Sequence, residues 1–254
     1  MKIVILAGND ISTSYVYNKL NLKFNIQSVI IETPVNKRLF LKRRVKKIGA
    51  ITVIGQILFK IIIVPILRMT SKKRINDIKK EYSLNDTEIN NEKIINVSSV
   101  NSIECLNTLK RINPEVIIVN GTRIISKRIL SEINSLFINS HAGITPKYRG
   151  VHGAYWALVN NDQENCGVTI HKVDQGIDTG DIFQQEIISI HSKDNFVTLP
   201  FSQIGLSLNL IEAVIENYLN NSLKNKKSIV KESFLWSHPT IWSYLSNRFF
   251  KGVK

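Results

Sequence analysis

The stretch SLFINSHAGITPKYRG (135–150) begins as an apolar run, then turns at once to a polar Asn and His two residues apart and to a Pro-Lys-Tyr-Arg-Gly turn. SLFIN has the look of a short buried strand. Strand side chains alternate with period two, so Asn139 and His141 should point to the same face at the strand's end. One reacting group could then meet an amide and an imidazole together. An isolated Asn-x-His at a strand end more commonly satisfies nothing beyond loop backbone, so the surrounding pattern has to decide between the readings.

Working outward, β-branched apolar runs recur at residues 2–7 (KIVILA), 27–32 (QSVIIE), 93–97 (KIINV) and 115–120 (EVIIVN), and GVTIHKV (167–173) alternates like a strand. Helical periodicity falls between them at 13–22, 102–112, 126–133, 153–160 and about 198–221. Ser102 can cap the second of these helices, and Pro200 suits the first turn of the last. Short, nearly continuous apolar strands alternating with helices predict an α/β fold, a doubly wound, mostly parallel sheet.

The chain has 254 residues, 43% hydrophobic and 21% charged, enough for one large domain with a small appendage. Cys105 and Cys166 form no C-x-x-C pair, which argues against a disulfide framework or structural zinc and for two buried thiols; no metal is expected. The opening MKIVILAGND lacks a cleavage site and reads as a first strand, which makes a reducing cytoplasm the expected location. A net charge of +14 suggests anionic partners, but no nucleic-acid-binding signature accompanies it.

Downstream of the opening motif, DQGIDTGD (174–181) is a tight Gly/Asp loop whose backbone could recognise a planar heterocycle, and Asp178 would supply a third polar group beside Asn139 and His141. Taken in order and spacing, VNGTRIIS (119–126), INSHAGITPKYRGVHG (138–153) and GVTIHKVDQGIDTG (167–180) resemble the 10-formyltetrahydrofolate-dependent formyltransferases, most of all the sugar N-formyltransferases. The resemblance implies a Rossmann-like formyltransferase fold, 10-formyltetrahydrofolate as co-substrate, and Asn139, His141 and Asp178 as the catalytic group. Asn139, and His141 if protonated, would donate to the oxygen of the attacked formyl group, while Asp178 would favour a charged imidazole and help move the amine's proton. Backbone of Arg123, Ile124 and Ile125 would border the pterin on one side, with Val173, Asp174 and Gly176 on the other. Tyr148 and Arg149 either touch the substrate or hold the loop closed. His152 is a candidate acceptor contact, His171 reads as structural, and His191 and His238 carry no motif.

The acceptor is read from what is missing. A methionyl-tRNA formyltransferase would need a further tRNA domain after residue 222, and the glycinamide ribonucleotide enzyme a Gly-Asn-Gly-Ser-Asn phosphate loop where this chain has AGNDISTS (7–14). An activated, nucleotide-linked amino sugar of surface-polysaccharide biosynthesis is the expected acceptor. Another small amine such as glycinamide ribonucleotide, a folate-binding relative without transfer activity, and a hydrolase are the alternatives.

The expected organisation is a catalytic domain at 1–221 and a C-terminal extension at 222–254. An insert at about 36–90 is basic at both ends and apolar in the middle. Its apolar run has bilayer length, but Gly49, Gly55, Gln56, Lys60 and Pro65 interrupt it and argue against a span. Two readings stay open: a helix pair packed on the sheet or in a homodimer interface, or residues 42–74 lying on an anionic membrane at the inner face.

Overall fold

Strands so apolar need cover on both faces, and parallel pairing with flanking helices provides it. A computed structural model describes residues 1–226, 228 and 231–254, so positions 227, 229 and 230 of the expected C-terminal extension lie outside the described residues. Among them, β1 (Ile3–Ala7), β2 (Ile26–Glu32), β3 (Ile94–Val97), β4 (Val116–Asn120) and β5 (Leu136–His141) run parallel. After the two-residue β6 (Arg149–Gly150), β7 (Gly167–Lys172) and β8 (Ile182–Ile187) complete the sheet as antiparallel strands, in the order β3-β2-β1-β4-β5-β7-β8. The sequence reading contained no strand at 182–187. Its alternation is weak because only one end of β8 is buried.

Alternate residues of each strand feed opposite cores. Ile3, Ile5, Val116 and Ile118 pack with α1 (Ile11–Leu20) and the long helix α9 (Leu199–Leu219). Val4, Leu6, Ile117 and Val119 pack with α6 (Ile103–Ile112) and Ile129 of α7 (Lys127–Glu132). Ser102 caps α6 by accepting from the Cys105 N–H, and Pro200 lies in the first turn of α9. Both cysteines are free and buried, and burial pushes each thiol up to about 12.

The insert is three helices, where one of the two open readings had a pair on the sheet or in a dimer interface. The basic α2 (Lys37–Ile48) buries none of its residues. α3 (Ala50–Leu58), a π-turn (Phe59–Ile63) and α4 (Val64–Thr70) form one continuous helix, followed by α5 (Lys72–Glu81). This long helix packs beside the sheet domain, not on the sheet. Gly55 meets the ring of Trp242 on α10 (Ile241–Lys251), where a Cβ would fall 2.3 Å from it, and Phe59 enters a third core with Phe196, Tyr155 and Tyr244. Arg74 on α5 holds the buried Asp194 carboxylate with two hydrogen bonds of 2.8 and 3.1 Å, which ties the insert to the start of α9. In the C-terminal segment, β9 (Leu235–Trp236) pairs with β6, and Trp236 stacks on Trp156 of α8 (Gly153–Val159) and on Tyr148.

Candidate active site

In a doubly wound sheet, ligands bind outside the carboxyl ends of the strands where the order reverses, here between β1 and β4. Two cavities open at that end, of about 330 and 380 Å³, each of a size that holds a small molecule. Alternation along β5 separates them. Asn139 faces the smaller cavity, with Asp178 and His171; Ser140 faces the larger one, with Asp10, Asn120 and Arg68.

The smaller cavity collects the residues that the sequence had only spaced. Arg123, Ile124, Ile125, Val173, Asp174 and Gly176 all line it beside Asn139 and Asp178. Both main-chain groups of Arg123 are already engaged within the protein. Its N–H donates to Glu32 at 2.7 Å and its carbonyl accepts from Thr122, while the side chain pairs with Glu32 and donates to the Thr33 carbonyl. The Arg123 N–H is thus committed to the buried Glu32, while its carbonyl keeps a second lone pair that can accept from a ligand.

His141 lies 3.3 Å from Asp178, Nδ1 to Oδ2, and its Nε2 is 2.6 Å from the Tyr148 carbonyl. A carbonyl only accepts, so Nε2 carries a proton, and Nδ1 faces the carboxylate. Burial pushes this imidazole below its ordinary value, against the opposing pull of Asp178 and the Tyr148 carbonyl. The ring is neutral at rest. Asp178 favours the charged imidazole, as expected, while burial opposes it more strongly, and both ring nitrogens face protein groups.

Asp178 sits in the left-handed region at φ +52°, a conformation Asp tolerates better than most residues. Burial opposes its charge, but the neighbouring His171 and His141 rings and the Gly150 N–H, which donates at 2.9 Å, outweigh that and hold its carboxyl below the usual range.

His171 is the residue that sequence reasoning undervalued. It pairs directly across from Asn139 in the β5–β7 ladder, and its Nε2 is 3.0 Å from the Asn139 amide nitrogen. Its Nδ1 donates to the Lys172 carbonyl at 2.8 Å, which leaves Nε2 to accept from Asn139. One amide N–H of Asn139 is thereby pinned and the other is left for the cavity. The signal was present as a polar residue on an apolar strand, but its meaning depended on a register that no local pattern reveals.

The remaining candidates divide. Tyr148 faces neither cavity. Its ring is buried against Trp236 and its hydroxyl donates to Asp162 at 2.8 Å, so of its two readings the structure favours holding the loop over substrate contact. Arg149 donates to the Ile177 carbonyl at 3.3 Å and so links that loop to the Asp178 turn. His152, at φ +60°, lines the larger cavity, lies against Phe196 and is 2.8 Å from the ring of His238. Burial, then the neighbouring His238, depress its value to about 3. Among the described residues no group of three or more His, Cys, Asp or Glu is placed to hold a metal.

A protein-family model described as formyl transferase matches residues 60–202, more than half of the chain. The chain belongs to that family. Methionyl-tRNA formyltransferase of Finegoldia magna is 33% identical over 126 residues, which are 49% of this chain and 40% of that protein. The chain thus aligns with less than half the length of such relatives. A sugar N-formyltransferase from Shewanella superposes with a TM-score of 0.58 at 15% identity, over 92% of this chain and 75% of that one. The N-formyltransferase of Helicobacter canadensis, solved with folinic acid and dTDP-3-aminofucose, gives 0.57 at 21% identity, over 93% and 71%. Phosphoribosylglycinamide formyltransferases share the fold as well. At these identities the structures speak for the formyl transferase fold, and all of Asn139, His141, His171 and Asp178 lie within the matched segment.

Proposed function

We propose that this formyl transferase moves the formyl group of 10-formyltetrahydrofolate to the amino group of an activated, nucleotide-linked amino sugar. The smaller cavity fits the donor. It is a cradle of main chain and apolar side chains, from residues 121–125 on one wall and 173–178 on the other, that ends on Asn139 and Asp178. Bound there, the co-substrate supplies an electrophilic formyl carbon. The chain's own part is electrostatic and protonic. Asn139, held by His171, donates its free N–H to oxygen where negative charge develops; Asp178 accepts the proton lost by the attacking amine, shares it with Nδ1 of His141, and returns it to the tetrahydrofolate nitrogen as that nitrogen's bond to the formyl carbon breaks.

The observation that carries the acceptor class is Asp10. Its carboxylate caps α1 and accepts from the Ser12 N–H at 3.0 Å, within the larger cavity. A helix N-terminus at this place could hold a phosphate monoester, but an acidic side chain already fills it and would repel one. That disfavours glycinamide ribonucleotide and leaves Arg68, across the cavity, as a cation for the phosphates of a larger nucleotide-linked sugar. The relatives named as methionyl-tRNA formyltransferases make an aminoacyl-tRNA the reading to test against.

Purified protein is incubated with 10-formyltetrahydrofolate and, in turn, nucleotide-linked amino sugars, glycinamide ribonucleotide and methionyl-tRNA, while tetrahydrofolate release and acceptor mass are followed. Release that depends on an amino sugar, with the mass of one formyl group added, is expected. Release independent of every amine, or supported only by the other two acceptors, overturns the reading.

A further inference from the structure

The continuous helix Ala50–Thr70 has two faces with different fates. Its inner face is committed. Gly55 meets Trp242, Phe59 sits in the third core, Gln56 donates to the His238 carbonyl at 2.7 Å, and Leu67 is buried. On the outer face Ile51, Ile54, Ile61, Ile62, Ile66 and Met69 stand in solvent, with Ile51 76% and Met69 64% exposed. Their separations of three, seven, one, four and three residues keep them on one side of the helix as a stripe. An apolar stripe of this length on a folded chain marks a contact surface.

The flanks say what the surface meets. α2 runs into the amino end of this helix, carries seven Lys and Arg and no acid, and leaves Leu39, Phe40, Leu41 and Val45 exposed. None of its residues is fully buried, and these four apolar side chains keep 38–48% of their surface in solvent. Exposed Lys72 and Lys73 stand at the other end. We propose that α2 and the outer face of Ala50–Thr70 dock on an anionic lipid bilayer, with the isoleucines at the acyl boundary and the cations at the headgroups. A second copy is the weaker occupant, because two such surfaces meeting face to face would bring their basic flanks together. A span is excluded by the inner face. The helix has the length and composition to cross a membrane, but crossing would strip Phe59, Gln56 and Leu67 of their partners.

Docking has a consequence for the reaction. Val64 and Arg68 of the same helix line the larger cavity, so a bilayer held by the outer face lies about one helix diameter, roughly 10 Å, from the acceptor side of the site.

Flotation tests this independently of any formyl transfer. The full chain is mixed with vesicles of phosphatidylcholine, alone or with phosphatidylglycerol, and centrifuged through a density gradient at low and moderate salt. Co-flotation with the anionic vesicles only, weakened by salt and released by an alkaline carbonate wash, is expected. Replacing Lys42, Arg43, Lys46 and Lys47 together with Gln should lower the bound fraction at least about tenfold, and Ile54→Ser with Ile61→Ser and Ile66→Ser should do the same. The charge variant alters only exposed side chains of a helix without buried residues, so it keeps the fold, which circular dichroism checks. Protein that stays at the bottom of the anionic gradient at low salt overturns the proposal. So does carbonate-resistant attachment, or a non-floating dimer in sedimentation equilibrium that the isoleucine variant dissolves.

Discussion

His141 is neutral because the cost of burying a cation exceeds what one carboxylate and one carbonyl return. That assigns the proton's path: Asp178 faces the cavity and His141 stands behind it. Asp178→Asn and His141→Asn should each lower kcat at least about a hundredfold, the usual cost of losing a positioned acid or base, while donor affinity changes little. Titration with a non-transferring folate analogue beside steady-state kinetics checks both halves, and turnover near that of the parent in either variant refutes the assignment. The resting charge also shapes the pH profile. Because His141 is already deprotonated at neutral pH, kcat/KM should climb as the acceptor amine loses its proton and should show no fall between neutral and mildly alkaline pH from this imidazole. A descending limb there that disappears in His141→Asn would show that the ring works charged. Asn139, His141 and Asp178 were legible as residues of the right chemistry at recognisable spacing. The tautomers were not, since they depend on the carbonyls of Tyr148 and Lys172, which no side-chain pattern announces.

Between elements, the joint that matters is β6 with β9. Gly150 has φ +95°, donates to Asp178, and lies so close to the Trp236 carbonyl that a Cβ would stand 2.3 Å from it. Gly150→Ala should therefore cost about 1–3 kcal/mol in stability and also lower kcat, because the N–H that orients Asp178 shifts with the backbone. Gly252 is the control. At φ +68° with nothing within 4 Å of its added Cβ, Gly252→Ala carries only the left-handed penalty of about 1 kcal/mol and should leave kcat unchanged. Urea unfolding and kcat on the two variants separate the effects, and a fully active Gly150→Ala would show that the joint does not position Asp178. The parallel strands and the capped helices were readable because periodicity and caps are local. β6, β8 and β9 were not. Two-residue strands have no period, and β8 exists because β7 offers it an edge.

Across the whole molecule, acid stability follows from two histidines. Burial holds His141 and the half-buried His152 below the unfolded value of about 6.5, with His152 at about 3, so the unfolded chain binds protons that the native chain refuses. Stability is complete above that value and falls as pH drops toward the native ones. His152 alone contributes a loss of at most about 2 kcal/mol between pH 7 and 5. Urea unfolding at the two pH values should show the loss and His152→Gln should reduce it; stability that is flat or rises on acidification would contradict the assignment. The sequence by itself determined the sheet, the donor-side loops and the residue types of the site, because strand composition, turn chemistry and motif spacing are written along the chain. Only the tertiary structure decided which protonation state His141 adopts, that His171 pins Asn139, and which face of Ala50–Thr70 is left uncovered. Each of these turns on groups far apart in sequence being brought within a few ångströms, where burial and charge compete and no local pattern records which prevails.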